Sequence, residues 1–299
     1  MEQMISTLRD IHSDEGIRGV CKSATRHINR LYYDVRTCNS YNSDGINIFH
    51  EDWDNLIILD ACRYDYFKQL NDMDGELEYR ISRGSQSREF MRGNFQGQRA
   101  YDTVYISDNP WYAKVKEDID SELCAFSFCD RDAFDGTVSY PSTVTESAIN
   151  YSTEHPKKRL IAHYLQPHAP YFNTDGTEKY RWPSKNHNDC DPAELKEAYK
   201  DNLKLVLSEA EKLSEELVGK TVITADHGEL LGERLLPIPL RQFQHPPGIY
   251  KDELVKVPWF IINNGERKEI QSEVGSEEFA SGKQYSDQVN NQLEALGYK

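Results

Sequence analysis

Five polar residues stand where short apolar runs give out: Asp60 after NLIIL, Ser107 closing TVYIS, Gln166 after RLIAHYL, and Asp226 with His227 after KTVITA. In an open parallel sheet the carboxyl ends of the strands border the crevice that takes ligands, so side chains at these positions can reach one. An Asp and a His in succession, followed by Gly228, can present a carboxylate and an imidazole while the backbone turns sharply. That pair suits a divalent cation, and Asp60 could supply a further oxygen. Taken singly, each strand-end acid has a plainer use as a helix cap. The combination is what points to a metal.

The elements that would position these residues alternate along the chain. NLIIL at 55–59 is a continuous apolar run, as a strand buried on both faces should be, and DACRYDYFKQL after it predicts a helix. TVYIS at 103–107 and RLIAHYL at 159–165 predict further strands, the latter after a helix at 142–155. The clearest helix starts from Asp191 as N-cap, with Pro192 first and Glu194 where a capping box wants it, and runs to about Val218. Leu195, Tyr199, Val206, Ala210, Leu213 and Leu217 give it an apolar face, and Gly219 suits its C-terminal cap. KTVITA and VPWFII at 257–262 add strands, so the alternation predicts an α/β fold, a largely parallel central sheet sandwiched by helices. Residues 1–31, with Ile5, Leu8, Ile11, Ile17 and Val20, could form a helix that packs on the domain, meets a protein partner or lies on a membrane surface. The expected division is an N-terminal helical extension at 1–50, a catalytic domain at 51–265 and a segment at 266–299 whose QVNNQLEALGY forms a helix docking on the body.

TVITADHGELLGER resembles the strand-Asp-His-Gly-Glu-x-x-Gly-Glu signature of the alkaline phosphatase and sulfatase superfamily, and DNLIILDACRYDYF resembles its first motif. The resemblance spans about residues 51–265. It implies an alkaline phosphatase-like fold and a metal-dependent hydrolase or transferase of phosphate or sulfate esters. Asp60, Asp226 and His227 fall on its ligands to one or two divalent ions, Mn, Zn, Mg or Ca. DWDNLIILDACRYDYF, TVYISDNPWY, RLIAHYLQPHAPY and EALGY together resemble sulfatase-like proteins of salt-loving archaea, which would explain an acidic composition.

The superfamily's nucleophile is a Ser, Thr or modified Cys after the first βα unit. Cys62 lacks the C-x-P-x-R context of a formylglycine sulfatase, since the chain reads Cys62-Arg63-Tyr64-Asp65-Tyr66, and it lies too near the first ligand. That favours phosphoester over sulfate-ester chemistry. SRGSQSREFMRGNF is the expected place, with Ser87, ahead of Glu89-Phe90, the first candidate and Ser85 the second. A hydroxyl at a helix N-terminus gains from the dipole and from a neighbouring cation, although a cap is the plainer use. Arg83 and Arg88, beside Arg92, and Arg63 are expected to clamp the anionic ester. HYLQPHAPY resembles the superfamily's H-x-P segment, which assigns to His168 a contact with the anionic group or the leaving oxygen; His163 reads as a core or supporting histidine. QFQHPPGIY, ahead of the last core strand, implies that His245 completes the metal site. Two-metal members carry Asp-x-x-x-His where this chain reads Gln166-Pro167-His168-Ala169-Pro170, so the number of ions stays open.

The chain's 299 residues, 38% hydrophobic and 11% aromatic, suffice for one sizeable α/β domain. Fifty acidic against 35 basic residues give a net charge of −15, which disfavours nucleic acid and leaves an anionic substrate dependent on local positive charge. The expected substrate is a small-molecule or glycan- or lipid-linked anionic ester. Six cysteines show no CxxC pair, so reduced thiols are expected. MEQMISTLRDIHSDEG carries charges where a signal peptide needs an apolar core, and no run approaches the ~18 apolar residues of a membrane span, so a cytoplasmic protein is expected. The rival from another class is a non-catalytic relative that uses the cleft for binding. What separates the two is whether Ser87 or Ser85 reaches a point shared by Asp60 and Asp226.

Overall fold

The computed structural model describes residues 23–25, 28–29, 31–33, 40–131, 133–134, 136–173, 178–180, 191–272 and 282–298. Its first half runs β1 (Asn55–Leu59), α1 (Tyr64–Leu70), β2 (Glu76–Ile81), α2 (Ser87–Phe95), β3 (Arg99–Ser107), α3 (Trp111–Val115), β4 (Glu122–Phe128) and α4 (Pro141–Glu154). The second half runs β5 (Arg159–Tyr164), β6 (Tyr171–Phe172), β7 (Glu178–Tyr180), α5 (Pro192–Glu216) and β8 (Gly219–Thr224). It closes with β9 (Leu230–Leu235), β10 (Leu240–Gln244), α6 (Asp252–Val255), β11 (Lys256–Asn264) and α7 (Gly282–Ala295).

Seven strands form the central sheet in the order β2-β11-β8-β1-β5-β3-β4. The five from β8 to β4 pair in parallel, and β11 runs antiparallel to both β8 and β2. Every residue of β1 is buried because helices cover both faces. Alternate residues part to the two sides, as a pleated strand requires. Ile57, Leu59, Ile106 and Ile223 pack with Val206, Ala210 and Leu213 of α5; Leu56, Ile58, Tyr105 and Val222 pack with Phe90 and Phe95 of α2 and with Val289 and Leu293 of α7. Each such side chain removed from water contributes roughly 1.5–3 kcal/mol before entropy is charged against it.

The α/β sandwich expected from the alternation is the fold observed. Asp191 caps α5, its side chain accepting from Ala193 N at 2.9 Å, with Pro192 at the first position. Gly219 opens β8 at φ +96 instead of capping the helix, and a Cβ there would meet Asp54 Oδ2 at 2.3 Å. Strands β2 and β4 carried no expectation: β2 is an edge strand whose charged residues leave no apolar pattern to read. For VPWFII the apolar run signals a strand but not its direction, which is antiparallel.

Most of the helix expected at 1–31 lies outside the described residues; 23–25, 28–29 and 31–33 are helical, and Asn29 Nδ2 donates to Ile238 O at 2.8 Å. The terminal helix is α7, which packs on α3. Among the described residues no helix is long and apolar enough to cross a membrane.

Candidate metal centre

Because β8 and β1 are parallel neighbours, Asp60 and Asp226 leave the same edge of the sheet side by side. The chain turns hard after Asp60, with Ala61 at φ +62, and Ala61 N then donates to Asp226 Oδ1 at 3.1 Å. The first turn of α2 points at the same spot. Its cap position is Gln86, without a side-chain cap bond, while Ser87 turns inward: Ser87 Oγ donates to Asp226 Oδ2 at 2.7 Å and lies 3.3 Å from His227 Nε2. From the end of β3 comes Asn109, braced by Ser107, whose Oγ donates to Asn109 O at 2.9 Å and accepts from Asn109 N at 3.0 Å. Asn109 Nδ2 donates to Asp60 Oδ2 at 2.7 Å and to Ser87 Oγ at 2.9 Å. His227 Nε2 is 3.4 Å from Asp60 Oδ1 and 3.4 Å from Asp226 Oδ2, and its Nδ1 faces Gly228 O at 2.8 Å.

Asp60, Asp226 and His227 thus present one ligand atom each to a common point, all three buried. Asp60 Oδ1 has no hydrogen-bond partner, and a buried carboxylate oxygen left so is costly unless a cation or proton meets it. Burial, with Asp226 beside it, pushes the Asp60 carboxyl well above the usual range. For Asp226 burial works the same way, but His227, His163, the Ser87 hydroxyl and the Ala61 N–H outweigh it and hold that carboxyl down. Two oxygens, a nitrogen and an orphaned lone pair in a dry site fit a divalent ion.

A second group adjoins the first. His168, Glu229 and His245 also converge, with the His245 ring centroid 4.5 Å from that of His227 and 5.0 Å from that of His168. His245 Nδ1 lies 3.1 Å from Glu229 Oε2, while Glu229 Oε1 has no hydrogen-bond partner. Burial raises the Glu229 carboxyl to about 7 and lowers His168 and His245 to about 4. His245, expected with Asp60, Asp226 and His227, therefore groups with His168. The acid missing two residues ahead of His168 has a counterpart in Glu229, from the Asp-His-Gly-Glu stretch itself. A cavity of about 270 Å³ opens beside this group, with Tyr171, Leu231, Gln244 and Tyr298 in its wall.

Other candidates lie elsewhere. Ser85 Oγ donates to Glu89 Oε2 at 2.9 Å and to Pro246 O at 3.2 Å, a packing role. Arg63 is spent on Asp65 at 2.7 Å and Glu233 at 2.6 Å, and Arg83 on the carbonyls of Gly45 and Gly93, so neither presents the open anion clamp expected of it. Arg88 is exposed, over the Trp111 ring at 5.8 Å. His163 stands behind Asp226, 3.9 Å from Oδ2, with Nδ1 on the Tyr105 hydroxyl at 2.7 Å. Gln166 Nε2 donates to Ser139 O. Asn109, Glu229 and Tyr298 went unread in the sequence. Ser107 marked the right strand end, two residues short of Asn109.

No family model matches this chain, and no curated protein matches it. Solved structures do. The C-terminal periplasmic domain of phosphoethanolamine transferase EptC from Campylobacter jejuni is 15% identical, with a TM-score of 0.44, covering 70% of this chain and 78% of that one. The corresponding EptC domain from Escherichia coli, in complex with Zn, is 14% identical with a TM-score of 0.45 and 85% of each chain covered. A protein in the alkaline phosphatase superfamily from Vibrio parahaemolyticus is 13% identical, TM-score 0.41, over 87% of this chain and 68% of that one. These similarities are distant, and the chemistry of the centre stands on its own geometry.

Proposed function

We propose that this protein is a metal-dependent hydrolase or transferase of phosphate or sulfate esters, with phosphoesters favoured and Ser87 as nucleophile. The observation that carries this is the placement of Ser87 Oγ, 2.7 Å from Asp226 Oδ2 and 3.3 Å from His227 Nε2. A divalent ion held by Asp60, Asp226 and His227 would supply Lewis acidity there. Asn109 Nδ2, donating to Ser87 Oγ, fixes the direction of the hydroxyl's lone pairs. Ser87 Oγ bonds to the central phosphorus as the bond to the leaving oxygen breaks, and the hydroxyl hydrogen, held toward Asp226 Oδ2, passes to water. His168, in the wall of the adjoining cavity, would meet the leaving oxygen. Water then frees the group in a hydrolase, or a second alcohol accepts it in a transferase. The phosphoester preference rests on the sequence around Cys62, which lacks the C-x-P-x-R context of a formylglycine sulfatase.

The test is a panel of phosphomonoesters, phosphodiesters and sulfate esters with Mn, Zn, Mg or Ca, on wild type, Ser87→Ala and Asp226→Ala. Metal-dependent phosphoester turnover is expected, reduced by at least ~10³-fold in Ser87→Ala. Undiminished turnover in Asp226→Ala would sink the metal assignment; undiminished turnover in Ser87→Ala would remove the nucleophile.

A further inference from the structure

Helix α7 delivers a side chain that neither motif contains. Val289 and Leu293 are buried against the sheet's helical layer, and Gln292 Nε2 donates to Asp108 O at 3.0 Å, next to Asn109. The helix ends in a left-handed glycine, Gly297 at φ +91, with Gly297 N on Glu294 O at 3.0 Å and Tyr298 N on Leu293 O at 2.8 Å. That reversal turns Tyr298 into the cleft. Its ring stands edge-on to Trp111 at 5.2 Å, and its hydroxyl reaches His245 Nε2 at 2.6 Å and His168 Nε2 at 3.5 Å.

The hydrogen bonds decide which lone pairs are on offer. An imidazole binds a metal through a nitrogen that carries no proton and is engaged by nothing else. His168 Nδ1 faces the Ala169 carbonyl at 2.5 Å, so Nδ1 carries its proton and Nε2 is the ligand atom. His245 has both nitrogens occupied: opposite an ionised Glu229, Nδ1 carries the proton toward Oε2 at 3.1 Å, which leaves Nε2 to accept from the Tyr298 hydroxyl. With Tyr298 in place the second group offers Glu229 and His168 alone; with it displaced, the group offers three donors, the number a catalytic zinc site takes from protein. At His227, Nδ1 faces Gly228 O and Nε2 points at the two aspartates; the hydroxyl beside Nε2, that of Ser87 at 3.3 Å, gives its hydrogen to Asp226 Oδ2, so the lone pair stays on offer.

We propose that Tyr298 sets the ion count of the centre, its hydroxyl holding His245 Nε2 so that the Asp60 group takes a divalent cation and the His168–Glu229–His245 group does not until Tyr298 leaves. This rests on the metal reading of the Asp60 group given above. Tyr298 is then a positioning residue for the second group and a removable wall of the cavity beside it.

Calorimetric titration of the chelator-treated full chain with Zn, checked by elemental analysis, tests this without any turnover. Wild type is expected to take one tight equivalent. Tyr298→Ala is expected to take a second, at least about tenfold tighter than any second equivalent in wild type, and Tyr298→Ala with His245→Gln to lose it. Tyr298→Phe keeps the ring on Trp111 and frees the His245 lone pair, so it carries the same expectation should Tyr298→Ala unfold. Two equivalents of like affinity in wild type, or one equivalent in wild type and both Tyr298 variants, overturn the proposal alone. No tight equivalent in wild type with Zn, nor with Mn, Mg or Ca in its place, overturns the metal reading, and this proposal with it.

Discussion

Asn109 makes two bonds through one amide nitrogen, one to Asp60 Oδ2 and one to Ser87 Oγ. Truncating it leaves a buried carboxylate oxygen and the nucleophile without their donor, and removing one such preorganised donor costs ~10²–10³-fold in kcat. Asn109→Ala is expected to lose turnover on that scale with KM within a few-fold of wild type, measured by steady-state kinetics on whichever ester the panel identifies; an unchanged kcat would show that the hydroxyl needs no such guide. The same residue shows what the sequence could and could not reveal. Asp60, Asp226 and His227 are the first polar residues past a buried strand, so local pattern exposes them; Ser87 is singled out only by the superfamily resemblance, since local pattern gives it no more than a helix cap. Asn109 sits behind Ser107, which spends its hydroxyl bracing it. Glu229 stood in full view within the Asp-His-Gly-Glu stretch but gains its meaning from His168 and His245, which are distant in sequence. Arg83 stands out in sequence because it clusters with Arg88 and Arg92 in an acidic chain, yet carbonyls nearby consume it, as carboxylates consume Arg63.

Among the elements, α2 has two tasks, and Glu89 links them. Its Oε2 accepts from Ser85 N and Ser85 Oγ, each at 2.9 Å, and its Oε1 accepts from Gly248 N at 2.8 Å, pinning the loop after β10 that carries His245. Glu89→Ala removes the carboxylate that two buried backbone N–H groups donate to, and losing a buried acceptor of this kind costs ~1–3 kcal/mol. The expected result is a fall in Tm of several degrees by thermal denaturation. Ser85→Ala keeps both backbone bonds and should fall far less while retaining turnover; equal losses in the two variants would make Glu89 an ordinary packing residue. Elements of this kind were legible where both faces are buried, as in β1, β5 and β8, or where caps are explicit, as at Asp191 of α5. They were illegible where exposure alternates with charge, as in the edge strand β2, and where direction depends on the partner, as in β11. The turn after α7 is in the same position: Gly297 can be read as a helix stop, but nothing local says that Tyr298 lands on His245.

For the molecule as a whole, a dry edge of the sheet that gathers imidazoles makes stability depend on pH. Burial lowers His163, His168 and His245 to about 4, against ~6.5 for an exposed imidazole. Between about 4 and ~6.5 the unfolded chain therefore binds more protons than the folded one, so stability rises with pH across that window and is lost as pH falls through it. Glu229 opposes this: raised to about 7, it binds its proton earlier in the folded state and gains stability as pH drops from about 7 towards its unfolded value. His227 is lowered by burial too and Asp60 raised, so four histidines stand against two carboxyls and the acid side stays destabilising, at ~1.4 kcal/mol per pH unit for each net proton taken up on unfolding. His163 separates this effect from ion binding, since it lies behind Asp226 and bonds to Tyr105 within the sheet. Urea unfolding in chelator at pH 5, 6 and 7 should show wild type losing stability steeply toward pH 5. His163→Gln, whose amide oxygen can still accept from Tyr105, should lose it less steeply by about one proton's worth. Parallel slopes in the two proteins would mean that His163 is not held neutral by the fold.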